Sequence, residues 1–189
     1  MTTPPESNRM SSAEKSLKGK RASDKKSDNK PAASEPKATS NCDESNPVEL
    51  ACALVIDDEP ANRDFLVRLL QQAKLDVKGA STAADARAIL ATAERMDLIA
   101  VDHRLPDGDG VDLMAELHAK FPRARMIMAT MLDDRPLMDK AFANGCDVFL
   151  VKPHGFMELF RRIQVAQATG EDTLTCMVID QYGPRPYRD

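Results

Sequence analysis

Several short apolar runs in this sequence end in side chains that are suited to polar chemistry. The residues at those ends are Asp57, Asp58, Asp102, Thr130 and Lys152. Clustered carboxylates favour a hard cation such as Mg²⁺, because this ion prefers oxygen ligands. An aspartate carboxylate can accept a phosphoryl group as an acyl phosphate. A lysine can neutralise the charge of that group, and a threonine hydroxyl can hydrogen-bond to its oxygens. These residue types therefore indicate metal-dependent phosphoryl chemistry, provided that they meet.

The elements that must position these residues alternate between strand and helix. Apolar strand patterns occupy 51–57, 75–80, 97–102, 125–130 and 147–153. Helical patterns occupy 63–73, 81–93, 110–121, 134–145 and 155–168. Continuous apolar strands separated by helices predict an α/β fold with a parallel sheet covered on both faces. Right-handed crossovers make that sheet doubly wound, and ligands bind outside the carboxyl ends of its strands. We therefore expect the polar residues to converge at that edge.

Length and charge limit the classes of function that remain. The 189 residues provide for one domain of ordinary size with tails. A net charge of −4 offers no electrostatic reason to expect nucleic acid as the main partner, so direct DNA binding is not expected. Residues 1–47 carry nine Lys/Arg against seven Asp/Glu and contain no aromatic residue. Such a composition predicts a disordered tail.

The sequence also indicates a cytoplasmic setting. No apolar run approaches the roughly 18 residues that a membrane span requires, so no membrane is expected as a partner. The first residues lack the apolar core of a secretory signal. The four cysteines form no Cys-x-x-Cys pair, so neither a zinc site nor a redox motif is predicted.

Four segments together resemble the receiver domain of two-component response regulators. They are LVIDDEPANRDFLVRLL, VDHRLPDGDGVDLM, MIMATMLDD and VFLVKPHGF, in the order and spacing of that family. The resemblance implies a receiver domain at 50–168 with a flavodoxin-like, five-stranded parallel sheet in the order 2-1-3-4-5. It leaves 1–47 as a tail and 169–189 as a carboxyl-terminal extension.

The resemblance also implies a phosphoacceptor and a metal site. Asp102 matches the phosphoacceptor of the family. Asp58 and Asp102 are expected to bind Mg²⁺ directly, and Asp57 is expected to hold it indirectly, through water or through another ligand. The backbone carbonyl of Arg104 is expected to complete the ligands that the protein supplies.

Three further positions match residues that bind or respond to the phosphoryl group in the family. By resemblance, Thr130 and Lys152 bind that group, and Thr130 and Phe149 form the switch that carries its effect to the surface. Pro153 matches a proline that follows a cis peptide bond. Met131 departs from the family, which usually has a small residue there, and it could either narrow access to the acyl phosphate or swing clear of it.

As a receiver, the chain is expected to be no conventional enzyme, since it would catalyse only its own phosphotransfer and autodephosphorylation. The phosphodonor is expected to be a histidine kinase or a histidine phosphotransfer protein, and the target another protein. The residues after 168 are too few for an output domain, which favours a single-domain regulator or phosphorelay receiver. A phosphatase of the haloacid dehalogenase type would need an aspartate where Arg104 stands.

Two questions stay open at the level of sequence. The strand-forming residues 174–179 predict an arm that either folds back on its own domain or pairs with a second copy, giving a homodimer through 172–189. The main alternative for the whole chain is a receiver-fold binding or dimerisation module that works without phosphorylation.

Overall fold

The computed structural model describes residues 49–188, so the predicted disorder of 1–47 lies outside the described residues. The strands are β1 Cys52–Ile56, β2 Asp76–Ala80, β3 Leu98–Asp102, β4 Arg104–Leu105, β5 Gly108–Asp109, β6 Arg125–Thr130, β7 Val148–Val151, β8 Met177–Asp180 and β9 Gly183–Pro186. The helices are α1 Pro60–Gln72, α2 Ala83–Ala91, α3 Gly110–Lys120, α4 Arg135–Ala143 and α5 Gly155–Thr169. In this part of the chain, no helix has the length and apolar character needed to cross a bilayer.

The main sheet has seven strands in the order β2-β1-β3-β6-β7-β8-β9. The strands from β2 to β8 run parallel, and β9 pairs antiparallel with β8. The five predicted strands are β1, β2, β3, β6 and β7, and their order confirms the predicted doubly wound α/β fold. The sheet has two more strands than predicted, because the carboxyl-terminal extension adds β8 and β9 beyond β7.

Helices cover both faces of the sheet, as continuous apolar strands require. Buried residues of α1 and α5 pack on one face, and buried residues of α2, α3 and α4 pack on the other. Helix α1 begins at Pro60, earlier than the predicted start at 63, because proline suits the first helical position. Strand β7 ends at Val151, so Lys152 and Pro153 follow the strand rather than end it.

The carboxyl-terminal extension belongs to the core of this domain. Leu174, Val178 and Ile179 are fully buried, and β8 pairs with β7 along its length. Of the two predicted placements of the arm, the structure has the intramolecular one. Burial of these side chains stabilises this placement, because an apolar side chain gains roughly 1.5–3 kcal/mol on leaving water.

An ionic cluster at the amino-terminal edge of the sheet holds the start of the extension. Arg125 at the start of β6 pairs with Asp172 and, at 3.3 Å, with Asp147. Thr175 donates its hydroxyl to Asp172 at 2.5 Å. Burial raises the pKa of the Asp147 carboxyl to about 6, although the hydrogen bond from the backbone N–H of Met126 and the charge of Arg125 both lower it. The cluster therefore couples the extension to two strands of the sheet.

Candidate functional site

The carboxyl ends of four neighbouring strands bring the predicted residues together. Asp57 follows β1, Asp102 ends β3, Thr130 ends β6 and Lys152 follows β7. The strands lie side by side in the order β1-β3-β6-β7 and run parallel, so their ends meet at one edge. The side chains of Asp57 and Asp102 are consequently close, although β1 and β3 are separated by two helices and a strand along the chain.

Lys152 is the centre of this site. Its side-chain nitrogen Nζ donates to Asp57 Oδ2 at 2.9 Å and to Asp102 Oδ2 at 2.8 Å. The lysine is only 3 % exposed, and both carboxylates are buried as well. Its backbone N–H donates to the carbonyl of Thr130 at 2.7 Å, which ties the end of β7 to the end of β6. An ammonium has three donors, and these two side-chain contacts use two of them.

Asp57 is held by contacts on its side chain and on its backbone. Its Oδ1 accepts from the backbone N–H of Glu59 at 3.0 Å, and its carbonyl accepts from the Arg63 guanidinium at 2.9 Å. Burial raises the pKa of the Asp57 carboxyl above its ordinary value, whereas the hydrogen bond and charge of Lys152 lower it. A proton therefore competes with a cation for this carboxylate more strongly than at an exposed aspartate, and acid should weaken cation binding.

The donor set fits a hard divalent cation. One carboxylate oxygen from each of Asp57, Asp58 and Asp102 lies within 4.8 Å of the other two. The three carboxylates and the Lys152 ammonium carry a formal charge of −2 when all are ionised, which a divalent cation balances. Oxygen ligands of this kind suit Mg²⁺. Arg104, whose backbone carbonyl is the fourth predicted ligand, starts β4 two residues after Asp102.

The loop after Asp102 is fastened by residues that the sequence reasoning did not single out. Strands β4 and β5 form a small hairpin whose tip includes Asp107. The Asp107 carboxylate accepts from the backbone N–H groups of Ala83 and Ala84 at 2.8 and 2.9 Å, at the start of α2. A turn signal was available in the run Pro106-Asp107-Gly108, since these residue types favour tight turns. Ala83 and Ala84, however, lie 24 and 23 residues from Asp107 along the chain, so the turn signal does not reveal this contact.

Gly110 is a second residue that the sequence reasoning missed. It starts α3 and its N–H donates to the carbonyl of His103 at 2.8 Å. A Cβ atom at this position would lie 1.8 Å from the backbone oxygen of Asp102. Only glycine therefore allows α3 to begin this close to the predicted phosphoacceptor. A glycine directly after an aspartate N-cap, Asp109, was the available signal.

We predict that Gly110→Ala displaces Asp102 and lowers the free energy of unfolding by roughly 2 kcal/mol or more, because the added methyl overlaps backbone atoms. Gly108→Ala is the matched control, since a Cβ there meets nothing within 4 Å. Urea denaturation of both variants measures the difference. Equal free energies of unfolding for the two variants would contradict the close approach.

The predicted switch residues lie on the two strands beyond β3. Thr130 ends β6, which pairs with β3, and Phe149 lies on β7, which pairs with β6. Thr130 is buried, and its Oγ1 accepts from the backbone N–H of Leu132 at 3.2 Å. Phe149 on β7 is fully buried among side chains of the main core. Met131 is 65 % exposed, so its side chain projects mainly into solvent. The Lys152–Pro153 peptide bond is cis.

Comparison with known proteins agrees with the fold. The family model described as "Response regulator receiver domain" matches residues 53–164, more than half of the chain. The response regulator protein PilR of Pseudomonas aeruginosa is 38 % identical over 101 residues, which cover 53 % of this chain and 22 % of that protein. The chain thus corresponds to a small part of this relative.

Two solved structures are similar in fold. A CheY-like receiver domain protein from Methanospirillum hungatei JF-1 has a TM-score of 0.58 at 25 % identity, covering 65 % of this chain and 97 % of that one. A response regulator from Burkholderia pseudomallei, solved with a phosphorylated aspartic acid, calcium ion and citrate, has a TM-score of 0.55 at 29 % identity. The match covers 62 % of this chain and 69 % of that one. With the family match over residues 53–164 and the acidic site at the sheet edge, this chain belongs to the response regulator receiver domain family.

Proposed function

We propose that this chain is a single-domain response regulator or phosphorelay receiver that accepts a phosphoryl group on Asp102 in the presence of Mg²⁺. The observation that carries the proposal is the buried Lys152 ammonium between Asp57 and Asp102, with Asp58 beside them at the carboxyl edge of the sheet. The phosphorylated aspartate and calcium ion of the Burkholderia pseudomallei structure support the same chemistry in a related fold.

In the proposed reaction, a carboxylate oxygen of Asp102 attacks the phosphorus of a phosphohistidine on the donor protein. An oxygen–phosphorus bond forms, the nitrogen–phosphorus bond breaks, and the donor imidazole leaves with the electron pair and takes up a proton. Asp57, Asp58, Asp102 and the Arg104 carbonyl would hold the Mg²⁺ ion, which supplies charge neutralisation for the phosphoryl oxygens. Hydrolysis of the acyl phosphate by water would restore Asp102.

Two side chains of the protein contact the phosphoryl group in this proposal. Lys152 keeps the attacking carboxylate in place before transfer and donates to a phosphoryl oxygen after it. Thr130 turns its hydroxyl toward the same group. The conversion of one carboxylate into an acyl phosphate is then sensed by the loop after Thr130, which leads into α4.

We propose that the phosphodonor docks on an apolar surface formed by α1 and α5. Phe65 on α1 is 47 % exposed and Met157 on α5 is 58 % exposed. The rings of Phe65 and Phe156 lie 5.6 Å apart, so α1 and α5 are in contact beside Phe65. Both helices begin shortly after site residues, Asp58 and Lys152, and the surface therefore borders the site. A histidine kinase or phosphotransfer protein is the expected occupant.

A homodimer through 172–189 is the less favoured part of the partner prediction. Such a dimer would have to use the outer edge of β9, because β8 is already paired on both sides. The N–H of Tyr187 points inward to the carbonyl of Cys176, so the alternate positions 184 and 186 point outward. Both are prolines and lack a backbone donor, which protects a sheet edge against further pairing.

In this proposal the protein acts in the cytoplasm, where its phosphodonors act, and it is not a conventional enzyme. The absence of direct DNA binding stays a prediction. A receiver-fold module that works without phosphorylation is the second candidate. The departure from the family at Met131 raises it, but the Met131 side chain is 65 % exposed and projects mainly into solvent, so this candidate is the less favoured one.

Intact-mass measurement separates the two candidates. The protein is incubated with acetyl phosphate and Mg²⁺, and a parallel sample contains a chelator in place of the metal. We expect one phosphoryl group per chain with Mg²⁺ and none with the chelator. A folded protein that gains no phosphoryl group under either condition favours the module without phosphorylation.

A further inference from the structure

One tyrosine fastens the outer strand of the carboxyl-terminal extension to α4. The Tyr187 ring stacks on Phe142 with centroids 3.8 Å apart and planes at 14°. The Arg135 guanidinium carbon lies 4.9 Å from the centre of the Tyr187 ring, and the hydroxyl donates to Asp139 Oδ1 at 2.7 Å. Arg135, Asp139 and Phe142 are spaced i, i+4 and i+7 and therefore share one face of the helix. This face of α4 offers a ring, a cation and an acceptor, a combination that suits a tyrosine.

The outer strand is held much less firmly than the inner one. Val178 and Ile179 on β8 are fully buried, whereas most of β9 is exposed and Tyr187 is only partly buried. Arg185 pairs with Asp180 at 3.1 Å, but this contact lies within the hairpin and survives separation of β9 from α4. The extension is thus a fixed strand that carries a lightly held second strand, and Tyr187 joins the latter to α4.

Helix α4 is also connected to the phosphorylation site through a short loop. Thr130 precedes Arg135 by five residues, and its Oγ1 accepts from the N–H of Leu132 within that loop. The Asp134 carboxylate caps the helix by accepting from the N–H of Leu137 at 3.3 Å. If the Thr130 hydroxyl turns to a phosphoryl oxygen, the bond to Leu132 is weakened. The loop can then shift α4 beneath Tyr187.

The buried core provides a second connection between the site and the extension. Phe149 on β7 lies between Met128 on β6 and Val178 on β8 in the register of the sheet. Its ring belongs to the same packed cluster as Val178, and Phe142 and Tyr187 pack against that cluster. A movement of Phe149 therefore changes the packing of the cluster against which Tyr187 and Phe142 lie.

We propose that Tyr187 is a latch that fastens β9 to α4, and that phosphorylation of Asp102 loosens this latch and uncovers the α4 face. The attachment itself is supported by the contacts of Tyr187. Its loosening on phosphorylation rests on the proposed function. The occupant of the α4 face in the unphosphorylated protein is thus a segment of the chain itself.

Amide hydrogen exchange tests the latch without any phosphoryl group. An aromatic pair and an exposed cation–π contact together correspond to about a tenfold change in an opening equilibrium. In Tyr187→Ala we therefore expect exchange at 183–188 to rise about tenfold while β8 stays protected. Tyr182→Ala is the matched control, because Tyr182 is 84 % exposed. Equal exchange at 183–188 in the two variants would overturn the latch.

Tyrosine fluorescence tests the link to phosphorylation. The chain has two tyrosines and no tryptophan, so Tyr182→Phe leaves Tyr187 as the sole tyrosine emitter. Beryllofluoride with Mg²⁺ serves as the probe, since it imitates a phosphoryl group on an aspartate. We expect its addition to raise Tyr187 emission and acrylamide quenching about twofold, because separation from Phe142 and Asp139 exposes the ring. The same addition to a variant that also carries Asp102→Asn should change neither quantity.

Calorimetric binding of beryllofluoride separates the possible failures. Binding without any change at Tyr187 would overturn the link between phosphorylation and the latch while leaving the proposed function intact. Absence of binding would count against both the proposed function and that link. The exchange comparison between Tyr187→Ala and Tyr182→Ala would still decide whether the latch exists.

Discussion

Replacing Asp102 with asparagine should reduce phosphoryl incorporation to background, a loss of at least ~1,000-fold in rate. An amide oxygen is a poor nucleophile, and it cannot form the acyl phosphate that a carboxylate forms. The fold should survive, because asparagine has the same shape and can still accept from Lys152 Nζ, which lies 2.8 Å from Asp102 Oδ2. Intact mass after incubation with acetyl phosphate and Mg²⁺ measures the incorporation, and circular dichroism verifies the fold.

Asp112→Asn is the control for this substitution. Asp112 is an exposed carboxylate on α3, shortly after the acceptor loop, and its only ion pair among residues 49–188 is a 3.5 Å contact with Lys140. This variant should take up one phosphoryl group as the parent does. Incorporation that persists in Asp102→Asn would refute the assignment of the acceptor. Fragmentation of the modified chain would then show whether Asp57 or Asp58 carries the group.

Replacing Lys152 with methionine should lower the free energy of unfolding at neutral pH by about 3 kcal/mol, since removal of one partner leaves buried charges uncompensated. Two buried carboxylates, Asp57 and Asp102, lose the ammonium that they share. A saturating divalent cation should restore about 2.7 kcal/mol at 100 times its Kd, because it binds the folded state and supplies the missing charge. Urea denaturation with and without Mg²⁺ measures both effects.

The pH dependence of the Lys152→Met deficit follows from Asp57. Burial already raises the pKa of this carboxyl above 3.8 in the folded protein, and loss of Lys152 removes the interactions that lower it. A carboxyl with a raised pKa holds its proton in the folded state over a range where the unfolded chain releases it. Stability then falls as pH rises above 3.8, so the deficit should be small near that pH and full at neutral pH.

Lys140→Met is the matched control for Lys152→Met. Lys140 also contacts two carboxylates, Asp109 at 3.1 Å and Asp112 at 3.5 Å, but all three side chains are exposed. Exposed ion pairs contribute 0–1 kcal/mol, so this variant should lose less than about 1 kcal/mol. Equal losses of unfolding free energy in the two lysine variants would contradict the role of burial. A Lys152→Met deficit that changes neither with Mg²⁺ nor with pH would contradict it as well, because the loss would then not arise from buried, uncompensated carboxylates.

Much of the fold was readable along the chain because local patterns carry it. Apolar runs such as 97–102 and 125–130 predict buried strands, and the helical patterns between them require parallel pairing. Parallel strands place their carboxyl ends at one edge, so the convergence of Asp57, Asp102 and Lys152 followed from topology. Boundaries were less exact, because Pro60 starts α1 before its apolar periodicity begins.

What the sequence by itself determined, therefore, was the doubly wound sheet and the identity of the groups at its edge. Only the tertiary structure decided which atoms meet. Lys152 contacts carboxylates 95 and 50 residues away, and Gly110 matters because the Asp102 carbonyl lies where its Cβ would be. The extension could have paired with a second copy, but the open edge of β7 and the α4 face accept its strand and Tyr187 within one chain. Such contacts join segments that are distant along the chain, and no local periodicity encodes them.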